Sequence, residues 1–210
     1  MAKPQQSTLR VRKFKNTPPH RVKYDKAAAL AKEVAAGIAA GDTIHALLSG
    51  NFIFGDFLEA LAVENGVKFK RLTLSTLAIS DDNVISLHNM LETGFLERLE
   101  MVLSSYFWSH NRANAQFIYE HLCDTHGARI AVAGIHTKIA LIETEKTKII
   151  IHGSANMRSS RTIETITIEQ DADLFAFHDT WHQAILDDYQ VTKKERRASD
   201  LFRHIGGTKQ

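Results

Sequence analysis

Hydrophobic positions along the chain follow two regimes, and the change between them falls near residue 128. Before it, apolar residues alternate between short continuous runs and helical spacing. A helix is predicted from Tyr24 or Asp25 through the alanine-rich segment to about Ala36. Residues 43–49 form a candidate buried strand, followed by Gly50-Asn51 and a helix over 54–64. A second strand is predicted over 68–75, with Leu72 and Leu74 on one face. Ser80, Asp81 and Asp82 form an N-cap cluster for a helix that ends near Gly94. Residues 96–105 make a third strand, and 113–126 a third core helix closing at Gly127. Three strand–helix units in succession predict an α/β layer fold with parallel pairing.

After residue 128 the runs shorten. Four strands are predicted, over 129–133, 137–142, 148–152 and 164–169, with a hairpin turn over 143–148. A final amphipathic helix over 172–188 places Leu174, Phe177, Trp181 and Ile185 on one stripe. All three prolines, Pro4, Pro18 and Pro19, lie in a polar, basic first stretch that has the composition of a flexible arm. The expected organisation is an arm over 1–24, one α/β domain over 25–190 and a basic tail over 191–210. The domain is expected to hold a mixed, mostly parallel sheet flanked by helices. No internal repeat is visible.

Composition narrows the setting. At 210 residues, 44% of them apolar and 24% charged, the chain can bury one good core. Cys123 is the one cysteine, so no intrachain disulfide forms, which fits a reducing compartment. The sequence has no apolar run of the signal-peptide or membrane-spanning kind, and the cytoplasm is the expected location. Charge is unevenly spread. Residues 1–24 carry seven cations and no acid, and residues 191–210 carry six cations against Glu195 and Asp200. With a net charge of +2 overall, arms of +7 and +4 leave −9 on the middle of the chain. Basic arms on an acidic body suit a polyanionic partner, since each phosphate neutralised releases counterions. They also simply keep a protein soluble, and terminal charge runs are commonly solvated.

The candidate chemistry lies in the second regime. Side chains two apart on a strand share a face, so His136 and Lys138 project together. Ser154 and Asn156, after Gly153, obey the same rule at the end of the next apolar run. A nucleophile or acid, a fixed positive charge and two neutral hydrogen-bonding groups can act on one phosphate without a metal or other cofactor. An isolated strand histidine is usually structural; three companions of the right parity change that reading. His178 and His182, four apart on the last helix, have a zinc-compatible spacing but no acidic or cysteine partner nearby, and are read as surface or core histidines. His110-Asn111-Arg112 precedes the predicted third helix and could meet a phosphate at its N-terminus, although an ordinary helix-start loop explains it as well. No glycine-rich nucleotide loop is present.

The arrangement His136-x-Lys138-x4-Glu143, then Gly153-Ser154-x-Asn156, resembles the HKD motif of the phospholipase D superfamily. The order of strands ending in one amphipathic helix also looks like a single catalytic half of that fold, over roughly residues 40–188. Two departures stand out: Glu143 occupies the place of the usual Asp, and the gap to Gly153 is slightly long. The resemblance implies a phosphohistidine mechanism. His136 would attack phosphorus, Lys138 and Asn156 would hold the non-bridging oxygens, and Ser154 would add a donor. Glu143 would support the structure, and Glu164, opening the next strand, is the candidate for orienting His136. Because the family's site uses two histidines and this chain has one such element, the resemblance implies a homodimer sharing one active site. The expected substrate is nucleic acid, DNA ahead of RNA, with Arg10, Arg12, Lys13, Lys15 and Arg112 as its contacts. A phospholipid hydrolase or transphosphatidylase, and an inactive nucleic-acid-binding protein of the same fold, are the competing readings.

Overall fold

The computed structural model describes residues 19–49, 52–158 and 162–192. The apolar runs become seven strands: β1 (Ile44–Ser49), β2 (Arg71–Thr76), β3 (Leu99–Ser104), β4 (Arg129–Ala133), β5 (Ile139–Glu143), β6 (Lys148–Gly153) and β7 (Ile163–Glu169). They form one sheet in the order β1-β7-β6-β5-β2-β3-β4. The expectation of a mostly parallel sheet is corrected here. Only β2–β3 and β3–β4 pair in parallel, whereas β1–β7, β7–β6, β6–β5 and β5–β2 are antiparallel. The cause is the insertion of the meander β5-β6-β7 between β1 and β2. A tight turn can join only antiparallel strands, so these three convert the centre of the sheet. β2 lies inside the sheet with all six residues buried, as a strand covered on both faces should be.

Helices cover both faces. They are α1 (Pro19–Ala40), α2 (Phe54–Val63), α3 (Asp81–Glu92), α4 (Ser105–His110), α5 (Arg112–Ile118), a π-helical turn over Tyr119–Asp124, and α6 (Ala172–Tyr189). α1 starts at Pro19, inside the expected arm, because proline's fixed φ and missing N–H suit a first helical position. The predicted third strand is cut short at Ser104, whose Oγ accepts from Phe107 N and opens α4. One face of the sheet packs α1 to α5 around a core that includes Phe57, Leu74, Leu87 and Trp108. The other face is covered by α6, through Ile139, Leu141, Ile150 and Phe175 and through Val102, Ala131 and Leu186.

The stripe expected on α6 is rotated. Phe175, His182 and Leu186 are buried, Leu174, Trp181 and Ile185 are half-buried, and Phe177 is 65% exposed. What sets this rotation is a polar network beneath the helix. Arg71 on β2 donates to both carboxylate oxygens of Asp179, at 2.7 and 2.8 Å, and to Glu143 at 3.0 Å. Its Nη1 also lies 3.5 Å from Glu100. Gln183 donates to Glu100 at 2.6 Å, and Arg129 reaches Glu100 at 3.4 Å and Asp187 at 2.7 Å. Burial works against the charge of Arg71, but the hydrogen bond and charge of Asp179, with Glu143 and Glu100, outweigh it and raise its pKa.

Of the two readings the sequence left open, surface or core, His182 takes the second, and it is an unusual core histidine. Its Nδ1–H donates to His178 O at 2.7 Å, and Trp181 stacks on its ring at 3.7 Å between centroids. Its Nε2 is buried with no hydrogen-bond partner among the described residues. Burial pushes its pKa from 6.5 down to about 4. The unfolded chain therefore binds more protons than the folded one across that window. Stability conferred by the neutral ring is present above pH 6.5 and is lost as pH falls towards 4. At ~1.4 kcal/mol per pH unit, the loss is on the order of 3 kcal/mol. His182→Leu should flatten this acid limb, as read from urea unfolding across the window; an equally steep limb in the variant would remove His182 as its source.

Candidate phosphate site at the end of the central strand

The turn carrying Gly153, Ser154, Ala155 and Asn156 is held from three sides. Gly153 N donates to Lys138 O at 3.3 Å, which joins the turn to the segment before β5. Ser154 N donates to Thr165 O at 2.9 Å, and Thr165 N returns a bond to Ser154 Oγ at 3.0 Å. At the end of β2, Leu77 N donates to Asn156 Oδ1 at 3.2 Å, and Met157 N donates to Thr76 Oγ1 at 3.1 Å. Using the carbonyl oxygen of Asn156 in this way leaves its amide nitrogen as the group that can donate to a ligand.

His136 and Lys138 occupy the connection between β4 and β5, not the strand predicted for them, because β5 begins at Ile139. Thr137 Oγ1 donates to Ser75 Oγ at 3.0 Å and pins this connection to β2. Lys138 Nζ donates to His136 O at 2.8 Å and lies 3.2 Å from His136 Nδ1. Among the described residues Lys138 has no carboxylate partner, and none of them neutralises its charge. His136 is exposed and Lys138 half-buried. A depression lined by Ser75, Thr76, Lys138, Gly153, Ala155 and Met157 opens where the two segments meet. The structure thus brings His136, Lys138, Ser154 and Asn156 to one end of the sheet, where an ammonium and the amide nitrogen of Asn156 suit an anion, while the hydroxyl proton of Ser154 is given to Glu164.

One expected role changes. Glu164 does not pair with His136; it accepts from Ser154 Oγ and, at 3.0 Å, from Thr162 Oγ1. It therefore positions Ser154. Glu143 stands at the far end of β5, about 16 Å of strand from Lys138, where it binds Arg71. There it ties β5 to the arginine of β2. Arg112 is exposed at the first residue of α5 and makes no hydrogen bond to the four site residues. Arg10, Arg12, Lys13, Lys15 and Gly50-Asn51 lie outside the described residues. Ser75, Thr76 and Thr137 were not picked out from sequence. Serine and threonine at a strand end carry no signal by themselves, and Thr76 lies about 80 residues from the turn that it holds.

Gly153 is required for a steric reason. A Cβ there would collide with the backbone carbonyl of Thr165 and crowd Ile166 Cα. Gly153→Val should lower stability by about 1–3 kcal/mol through overpacking against backbone that cannot give way. Urea unfolding measures this, and an unchanged midpoint would contradict the close approach.

No protein-family model matches the chain, and no curated protein matches it. Solved structures do. NucT from Helicobacter pylori superposes with a TM-score of 0.51 at 13% identity, over 72% of this chain and 100% of its own. Nuc from Salmonella typhimurium, described as a phospholipase D family member, gives 0.54 at 11% identity over the same shares. At such identities the likeness carries the fold alone, and it agrees with the motif-based resemblance. The chain has the fold of the phospholipase D family.

Proposed function

We propose that the protein is a phosphodiesterase that cleaves nucleic acid, DNA ahead of RNA, through a covalent histidine intermediate. The observation that carries this reading is the ammonium of Lys138, which has no carboxylate partner among the described residues, is hydrogen-bonded to His136 and sits on a segment whose backbone is bonded to Gly153. A phosphate entering the depression draws the Lys138 ammonium to its oxygens. That frees His136 Nδ1 to carry the ring proton and leaves the Nε2 lone pair for attack on phosphorus. The new P–N bond replaces one P–O bond, and the departing oxygen takes a proton from a second imidazole. Lys138 and the amide nitrogen of Asn156 stabilise the charge on the non-bridging oxygens. Water then attacks the phosphohistidine, gives up a proton to that second imidazole and regenerates His136.

The motif's resemblance to a family whose site uses two histidines, with one such element in this chain, supports a homodimer whose two His136 side chains share one site. The seven cations of residues 1–24 support a polyanionic substrate. The same geometry would serve a phospholipid, and a chain that binds without cutting would keep it too.

One experiment separates these readings. The full-length protein and a His136→Ala variant are incubated in EDTA with DNA, with RNA and with phosphatidylcholine vesicles. Cleavage of nucleic acid that survives EDTA should fall in the variant by something on the order of 10⁴–10⁶, as when a catalytic nucleophile is removed. Binding without cleavage by either protein would sink the enzymatic reading, and headgroup release without nucleic-acid cleavage would transfer it to lipid. Native mass measurement should show two chains per particle; a persistent monomer would remove the shared site.

A further inference from the structure

The opposite end of the sheet carries a cluster that the phosphate chemistry does not use. His88 and Glu92, four residues apart on α3, lie on one face of the helix. His126 is brought against them by the π-helical turn Tyr119–Asp124, which packs on α3 and carries the chain on to β4. His126 Nε2 stands 2.8 Å from His88 Nδ1 and 3.9 Å from Glu92 Oε2. One donor atom from each of the three side chains lies within 4.8 Å of the others.

From this geometry we infer that His88, Glu92 and His126 form a binding site for a zinc-type divalent cation. Two imidazole nitrogens and one carboxylate oxygen make a donor set that zinc takes in proteins, with ligand bonds of about 2.0–2.2 Å. Tetrahedral geometry at those lengths puts ligand atoms roughly 3.3–3.5 Å apart. The cluster brackets that separation: the two nitrogens are slightly closer and the carboxylate slightly farther. Two imidazole nitrogens in hydrogen-bond contact must have a proton between them, and a divalent cation occupies the same place while releasing it. Glu92 is 68% exposed at its side chain, so it can close on the ion at little cost, and the fourth position is left for water.

The site lies away from the proposed phosphate chemistry. β3 and β4 both begin at this end, and the five residues of β4, about 17 Å of strand, separate it from the connection that carries His136. A bound ion would tie α3 to the π-helical turn and hold the entry to the sheet's edge strand. It plays no part in the chemistry proposed for His136, so the two ideas fail separately.

Zinc itself is the probe. Full-length protein stripped with EDTA and dialysed is titrated with zinc sulfate by calorimetry, with magnesium as the hard-cation control. One zinc and no magnesium should bind per chain, with a rise in melting temperature, and His136→Ala should behave as wild type. His126→Ala should lose binding by more than the roughly 10–100-fold that loss of an outer-shell partner costs. Glu92→Gln, at an exposed position that cannot compromise folding, should weaken it at least about tenfold. Cobalt substituted for zinc should give the intense visible bands of a tetrahedral ion. Failure of the stripped protein to take up zinc would overturn the site, as would equal uptake by wild type and Glu92→Gln or an octahedral cobalt spectrum.

Discussion

Arg71 places a cation between the sheet and its last helix, where it is stable only because carboxylates from three elements meet it. Asp179 comes from α6, Glu143 from β5 and Glu100 from β3. A buried charge that loses its partner costs about 3–5 kcal/mol, so the geometry tolerates little slippage of any of these elements. Asp179, Gln183 and Asp187, spaced four apart, must point to the network, and that requirement rotates α6 about its axis. Phe175, His182 and Leu186 are consequently buried and Phe177 is left in solvent. The carboxylate of Glu143 likewise serves Arg71, at the far end of β5 from the candidate phosphate site.

Because β2 is locked in this way, its C-terminal end is a firm platform. Ser75 anchors the connection that carries His136 and Lys138, and Thr76 anchors the turn that carries Ser154 and Asn156. Two segments that would be mobile alone are thereby fixed relative to each other. The close approach of Gly153 to the backbone of β7 completes the arrangement, and Glu164 braces Ser154 from the same strand. Precise placement of donors before a substrate arrives is what makes them effective on developing charge. Rigid strands hold the ends of both segments, while the reactive groups sit on the irregular backbone between them.

Much of this was legible beforehand. Apolar runs located every strand, and the N-cap cluster before Asp81 located α3. His136, Lys138, Ser154 and Asn156 were visible because their spacing is local. The readings that failed were those depending on partners distant in sequence. Parallel pairing was inferred from alternating strands and helices, but the meander β5-β6-β7 entered between β1 and β2. Glu164 was assigned to His136 because it opens the next strand, yet neighbouring hydroxyls engage both of its oxygens. His182 was placed among surface or core histidines, and the stripe on α6 was counted without it, since the side chain is polar on paper and apolar in its surroundings.

The sequence by itself determined the elements and the identity of the candidate phosphate-binding groups, because helical and strand periods and short motif spacings are properties of neighbouring residues. Tertiary structure alone decided the strand order, the rotation of α6, the support from Ser75 and Thr76, and the meeting of His88, Glu92 and His126. Each of these depends on residues tens of positions apart becoming neighbours. No local period encodes such contacts. They follow from which faces must be buried together and which charges must find partners once they are.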